Sequence, residues 1–347
     1  MGSVTTDSAE ETFRTVSTHL GGHMRRIPDG EVGKRFHWIL FQGEVFDDTP
    51  GLARVGDEPV IMAGFDIRPF APDGTVPHEE IEFPELGYAE AALTSYEDFA
   101  RLRAEGVISE GTRFQVSLPT PLAPLSTFVH PDARPLLERA YTSALVDEIN
   151  EITSQVPAAD LAIQFDLAIE FSYIETAAGR EVAIPSHAWF EPLLDGLVTR
   201  AAAVIESVPA EVEVGLHLCY GDVGEKHFVE PLDTANLTTV ANAIAAEVTR
   251  PLNWLHLPVP IDRDDREYFA PLGELADAYQ ELYLGLIHHQ DGADGAHARI
   301  DAAKRAGLTD FGVATECGFG RGPAERTVPL LQLHAAVADP LPTPQID

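Results

Sequence analysis

The chain has 347 residues, room for one large domain or two ordinary ones, and its 45% hydrophobic and 23% charged content is that of a globular protein. Lys and Arg total 23 against 56 Asp and Glu, a formal charge of −33, which argues against a nucleic-acid partner and against docking on anionic membranes. No apolar run approaches the ~18 residues of a membrane span. Residues 1–11 are polar and acidic, without the basic and apolar regions of a secretory signal, so the expected location is cytoplasmic.

In chain order, residues 1–15 read as an N-terminal tail. A weak strand signal follows at 17–24, then β-rich apolar runs at 60–65, 113–118, 161–166, 213–219, 252–258, 282–287 and 309–315. Between them lie stretches with apolar residues at three- and four-residue spacing, at 136–153, 189–208, 237–248, 272–281, 296–306 and 324–337. Residues 340–347, with three prolines, read as a C-terminal tail. Alternating strands and helices predict a parallel sheet with both faces covered. Eight such units over residues 16–339 predict a single (β/α)₈ TIM barrel, an α/β fold. Gly21-Gly22-His23-Met24 does not fit G-x-G-x-x-G, so no dinucleotide fingerprint follows the first strand.

Chemistry in such barrels sits at the C-terminal ends of the strands. Here those ends read Gln164-Phe165-Asp166, His217-Leu218-Cys219, His256-Leu257-Pro258, His288-His289-Gln290-Asp291 and Thr315-Glu316-Cys317. His217 and Cys219 stand two apart on a predicted strand and so share a face. Cys317, the second of only two cysteines, comes from the last strand end, followed by Gly318, Gly320 and Gly322. One His and two Cys from separated strands form a catalytic rather than a structural zinc ligand set, with a position left open. The segment Arg25-Arg26-Ile27-Pro28-Asp29-Gly30-Glu31 reads as a polar turn after the first strand, where Arg25 and Arg26 would grip an anionic substrate group beside Glu31.

Four segments resemble the catalytic barrel of cobalamin-independent methionine synthase, within the uroporphyrinogen decarboxylase and zinc-dependent thiol alkyltransferase superfamily. Gly215-Leu216-His217-Leu218-Cys219-Tyr220 resembles its H-x-C-Y motif, and Glu316-Cys317-Gly318 its D-C-G segment. Ile163-Gln164-Phe165-Asp166 resembles its I-Q-x-D strand end, and Leu118-Pro119-Thr120-Pro121-Leu122 a P-x-P-like segment. The resemblance implies zinc on His217, Cys219 and Cys317, with His256 where the family has a fourth ligand, a Glu. It implies a substrate contact at Asp166, with Gln164 beside it, and a general acid at His288, for which His289 is the alternative. The sequence departs from the family in having Leu167-Ala168 after Asp166 instead of Glu-Pro, and Leu286-Ile287-His288 instead of D-I-H.

These expectations describe a methyl or alkyl transferase that activates a small-molecule thiol acceptor on zinc for attack on an alkyl donor. Two alternatives share the ligand set. In a zinc hydrolase or lyase the open position activates water, a role for which two thiolates leave the metal less acidic. In a non-catalytic zinc barrel, His256 would close a four-ligand site. Oligomeric state is not readable from the sequence.

Overall fold

The computed structural model describes residues 2–222 and 224–341. Seven parallel strands form one sheet: β1 (Arg26–Pro28), β2 (Arg113–Pro119), β3 (Leu161–Leu167), β4 (Glu213–Leu218), β5 (Leu252–Pro258), β6 (Tyr279–Gly285) and β7 (Gly312–Val313). Their order in space is their order in sequence, and every neighbouring pair is parallel. Helices between consecutive strands cover the outer face, including Tyr88–Ala104, Arg134–Gln155, Leu193–Ile205, Ala235–Glu247 and Gly292–Arg305. The protein is therefore an α/β chain with a curled, TIM-barrel-like sheet. No helix among the described residues is long and apolar enough to cross a membrane.

The central strands form as their sequences dictate. All seven residues of β3 are buried, as expected of a parallel strand covered on both faces. The Arg134–Gln155 helix buries Leu137, Tyr141, Leu145, Ile149 and Ile152, one stripe at helical spacing.

Among the described residues the parallel sheet has seven strands where eight are expected. Residues 60–65 do not cross the sheet: Ile61–Met62 and Phe65–Asp66 make a two-stranded antiparallel hairpin, with Ala63 and Gly64 in its turn at φ 48° and 88°. Two consecutive positive φ values are the geometry of a tight hairpin turn, which reverses the chain after two residues. Ile61 is left 63% exposed. Residues 17–24 are not a strand either, because residues 9–20 form a helix. Ser8 accepts a hydrogen bond from Glu11 N at its N-cap, and Phe13 and Val16 are buried along one side.

Of the N-terminal tail expected over residues 1–15, the described residues 2–15 are instead part of the packed structure. The Phe13 ring stands edge-on to Phe99 and Phe114 at centroid distances of 5.8 and 6.1 Å. Residues 272–281, expected as a helix, hold the end of a short 3-10 turn (Ala270–Glu274) and the start of β6. Of the C-terminal tail, residues 342–347 lie outside the described residues.

The corrected first strand changes the place of two candidate site residues. Arg26 opens β1 rather than following it, and lies at the floor of the sheet, opposite the mouth. Its guanidinium pairs with Glu213 at 2.7 Å and Glu281 at 2.8 Å, both near strand starts, and stacks 4.1 Å from the Trp254 ring centroid. Burial works against its charge, but the two carboxylates outweigh this and raise its pKa. Arg25 is 52% exposed and reaches the same Glu281 at 3.2 Å. Neither arginine can meet a substrate at the mouth. Trp254 fits across the interior because position 215 is glycine: a Cβ there would stand 1.9 Å from the indole.

Arg26 is therefore expected to act on stability alone. Arg26→Met leaves two half-buried carboxylates short of a partner and should cost on the order of 2 kcal/mol. The urea midpoint should fall with the slope unchanged. Unchanged stability with weakened substrate binding would return Arg26 to the active site.

Candidate metal centre

Register brings the site together. Asp166 on β3 is the ladder partner of His217 on β4, and His217 is the partner of His256 on β5. The ladder continues past β4 through Cys219, whose amide donates to Leu167 O at 3.0 Å. His217 and Cys219 thus project from the same edge. Cys317 arrives on the loop after β7. A nitrogen of His217 and the sulfurs of Cys219 and Cys317 all lie within 4.8 Å of one another, and both cysteines are free thiols.

Two sulfurs, one buried and one half-buried, and a buried imidazole suit a borderline-soft cation such as zinc. The thiols are electrostatically unequal. A hydrogen bond from Cys317, aided by His217, holds Cys219 well below the usual thiol range, and the same bond pushes Cys317 up. The pair thus has thiolate character before any cation arrives.

His256 occupies a different role from the fourth ligand expected of it. Its Nε2–H donates to Thr315 O at 3.0 Å. Burial, followed by the nearby His217, pushes its pKa well below the usual range, so the ring is neutral. Its Nδ1 is then an acceptor, and His217 Nδ1–H donates to it at 2.6 Å. Both His256 nitrogens are used; His217, which also hydrogen-bonds Cys219, gives Nδ1 to His256 and would offer Nε2 to a metal. His256 is a positioning residue that fixes the tautomer of its neighbour.

Gln164 lies below the mouth. Its amide donates to Asp166 Oδ1 at 2.8 Å, and its carbonyl oxygen accepts from Gln115 at 3.3 Å and Trp254 at 3.5 Å. It orients Asp166 from beneath. Glu31 is brought to the mouth by a strained turn: Gly30 has φ 85° and Glu31 φ 50°, and Asp29 accepts the Glu31 amide at 3.0 Å. Asp29 also pairs with Arg35, so that arginine is committed to building the turn.

Carboxyl groups crowd this end of the sheet. Burial pushes Asp166 up to about 6, with Cys219 adding to the shift. Burial likewise pushes Glu31, Glu170 and Asp222 to about 7 each. Glu170 is fully buried; one oxygen accepts from Thr120 Oγ1 and the other has no hydrogen-bond partner.

Beside Cys317 opens a cavity of about 430 Å³, lined by Asp222, His227, His288, Glu316 and Arg321 among others. Glu316 Oε1 lies 3.6 Å from His227 Nε2, and Glu316 Oε2 lies 3.8 Å from His288 Nδ1. Burial pushes Glu316 up to about 8. Burial alone would lower His227, but Glu230 at 2.9 Å and Glu316 outweigh it and lift the ring to about 9. His288 goes the other way, to about 4, through burial and the nearby Arg299, and its Nε2–H donates to Val259 O at 2.8 Å. His289 also lines the cavity.

Asp222, His227 and Glu316 are additions to the residues expected from the sequence. Glu316 adjoins Cys317 and could have been found from that. His227 sits on an irregular loop with no periodicity to mark it.

No family model and no curated protein matches this chain. Among solved structures it is similar to a B12-independent methionine synthase from Shewanella sp. W3-18-1, in complex with selenomethionine. The TM-score is 0.55 at 15% identity, covering 95% of this chain and 86% of that one. At that identity the likeness shows the fold.

The tautomer assignment has a measurable outcome. His256→Leu removes the acceptor for His217 Nδ1–H and should weaken zinc binding about 10- to 100-fold while leaving the stoichiometry at saturation unchanged. A cobalt-substituted variant should keep the ligand-field spectrum of the parent. A change in coordination number would make His256 a ligand.

Proposed function

We propose that this chain is a zinc-dependent methyl or alkyl transferase acting on a small-molecule thiol. The observation that carries the reading is the cluster of buried His217 and Cys219 with half-buried Cys317 at the mouth of a TIM-barrel-like sheet. Zinc held by these three residues would lower the pKa of an incoming thiol, so that it reacts as the thiolate. The fold shared with a methionine synthase supports the same class of chemistry.

The remaining roles fall to the chain's own residues. Asp166, held by Gln164, faces the ligand cluster with Glu31 close enough to couple to it, and together they would hold an ammonium group of the thiol substrate. The cavity beside Cys317 has room for the donor. The thiolate sulfur forms its bond to the donor's alkyl carbon as the bond from that carbon to the leaving atom breaks. The electron pair departs with the leaving group, which then takes a proton. His288 was the expected donor of that proton, but its ring is neutral and its Nε2–H is given to Val259. His227 is the charged imidazole in the cavity and is the better donor, with Glu316 between the two rings.

Two observations rank the alternatives lower. The partners of His256 argue for an open site over a closed four-ligand one. Two sulfur ligands leave zinc a weaker activator of water than a set of histidines and carboxylates.

Elemental mass spectrometry should find about one zinc per chain in freshly purified protein, and none in Cys219→Ala or Cys317→Ala. Metal-free wild type would sink the reading. If zinc is present, thiols bearing an amino group should be alkylated faster than thiols without one.

The proton donor is tested by pH. His227 holds its proton below about 9 and loses it above. The rate should therefore rise as Asp166 and Glu31 ionise near 6 to 7, reach a plateau, and fall on the alkaline side of about 9. His227→Gln should lower the plateau about 100-fold or more and remove the alkaline limb. If His288→Gln does this instead, the roles are reversed.

A further inference from the structure

The loop that carries Cys317 has almost no regular structure of its own. It runs from Val313, the last residue of β7, to a single 3-10 turn at Phe319–Arg321. It is held by a segment more than three hundred residues away in sequence. Phe319 N donates to Ser3 O at 2.8 Å, and Gly320 N donates to Ser3 Oγ at 3.3 Å. Thr5 Oγ1 contacts Phe319 O at 3.2 Å and Gly322 O at 3.1 Å, and Thr327 Oγ1 donates to Thr5 O at 3.2 Å.

The same segment grips the opposite edge of the sheet. Val4 N donates to Gly30 O at 3.0 Å, and Ser3 pairs with Gly30 in a parallel bridge. Gly30 belongs to the turn that presents Glu31. Among the described residues β1 and β7 share no ladder, so residues 3–5 span the seam between them at the mouth. The approach is tight. A Cβ on Gly318 would stand 2.3 Å from Ser3 Oγ, and one on Gly320 would stand 2.6 Å from Ser3 Cβ. Glycine at these two positions is what lets the segment lie against the loop. Ser3 is itself only 7% exposed.

We propose that Ser3, with Thr5, is a positioning residue for the third metal ligand: the contact between residues 3–5 and residues 318–322 sets the Cys317 loop in the place where its sulfur meets Cys219 and His217. Neither Ser3 nor Thr5 binds metal or performs chemistry. The inference rests on the zinc reading above. Its physical basis is that a loop ligand must be held against its own conformational entropy, and the groups that hold it set affinity. Linkage makes the effect mutual: whatever order the segment lends to metal binding, bound metal returns to the segment.

The test uses the full chain, stripped of metal and titrated with cobalt and then zinc. Cobalt reports thiolate ligation through its charge-transfer absorption, and zinc affinity is read by competition with a chromophoric chelator. Ser3→Ala removes one hydrogen bond to the loop, and Thr5→Val removes the threonine contacts with little change of shape. Each should weaken zinc about tenfold while keeping two-thiolate ligation. Gly318→Ala, which pushes the segment away, should weaken it at least as much. In wild type, zinc should slow amide exchange at residues 3–5 as well as at 318–322. A merely structural role would lower the urea midpoint of the metal-free protein and leave affinity and zinc-dependent exchange unchanged, and that result overturns the proposal. Wild type that binds neither metal removes the zinc reading and this inference with it. Wild type that binds zinc with unaltered affinity in all three variants removes this inference alone.

Discussion

Every strand of the sheet points the same way, so one rim collects all the C-terminal ends and register decides which side chains meet there. Asp166, His217 and His256 lie along one line of ladder partners at that rim. Two residues lower the line reads Gln164, Gly215, Trp254 and Glu281, and near the strand starts come Arg26 and Glu213, with Glu281 reaching down to Arg26. The interior is thus built in storeys: an ion-paired floor, an amide and indole layer, and an acidic, sulfur-bearing mouth. A slip of one residue in any strand would turn its contribution to the other face and dismantle all three.

The floor and the mouth treat charge in opposite ways. On the floor each carboxylate has a guanidinium, and Arg26 closes the network against Trp254. At the mouth, Glu31, Asp166 and Glu170 are buried and Asp222 and Glu316 half-buried, with few cations among them, and all are pushed toward the protonated form. Burying unpaired acids costs stability, and nothing in the packing of the sheet requires it. Such groups gather where a ligand supplies what the fold withholds. The negative charge of the whole chain says little about this, since most of it lies on the surface; the buried acids carry the information.

How much of this could be read from the sequence follows from what each residue depends on. The pairing of His217 with Cys219 is a local fact, fixed by the two-residue period of a strand, and the run of apolar residues around it made the strand visible. The first strand was not visible because only three residues of it form a ladder, and placing it at 17–24 carried Arg25 and Arg26 to the wrong end of the sheet. The helix at 9–20 did announce itself, through Ser8 and Glu11 at capping-box spacing and through Phe13, Val16 and Leu20, but its many polar residues read as a tail. The role of His256 could not be read at all. A histidine's tautomer depends on what each nitrogen touches, and here those partners come from two other strands' neighbourhoods. His227 fails for a similar reason, being placed by a loop.

The seam has a temporal meaning as well as a spatial one. Ser3 is made more than three hundred residues before its partners Phe319 and Gly320, so the span at the mouth is among the least local contacts in the chain. At translation rates of about 5–20 residues per second, roughly tens of seconds separate the two on a ribosome. The central strands can pair as they emerge, but the cysteine loop has nothing to settle against until its distant anchor is within reach. Assembly of the mouth is therefore a closing event, and an ordered residue 3 marks a chain whose synthesis has already passed residue 320.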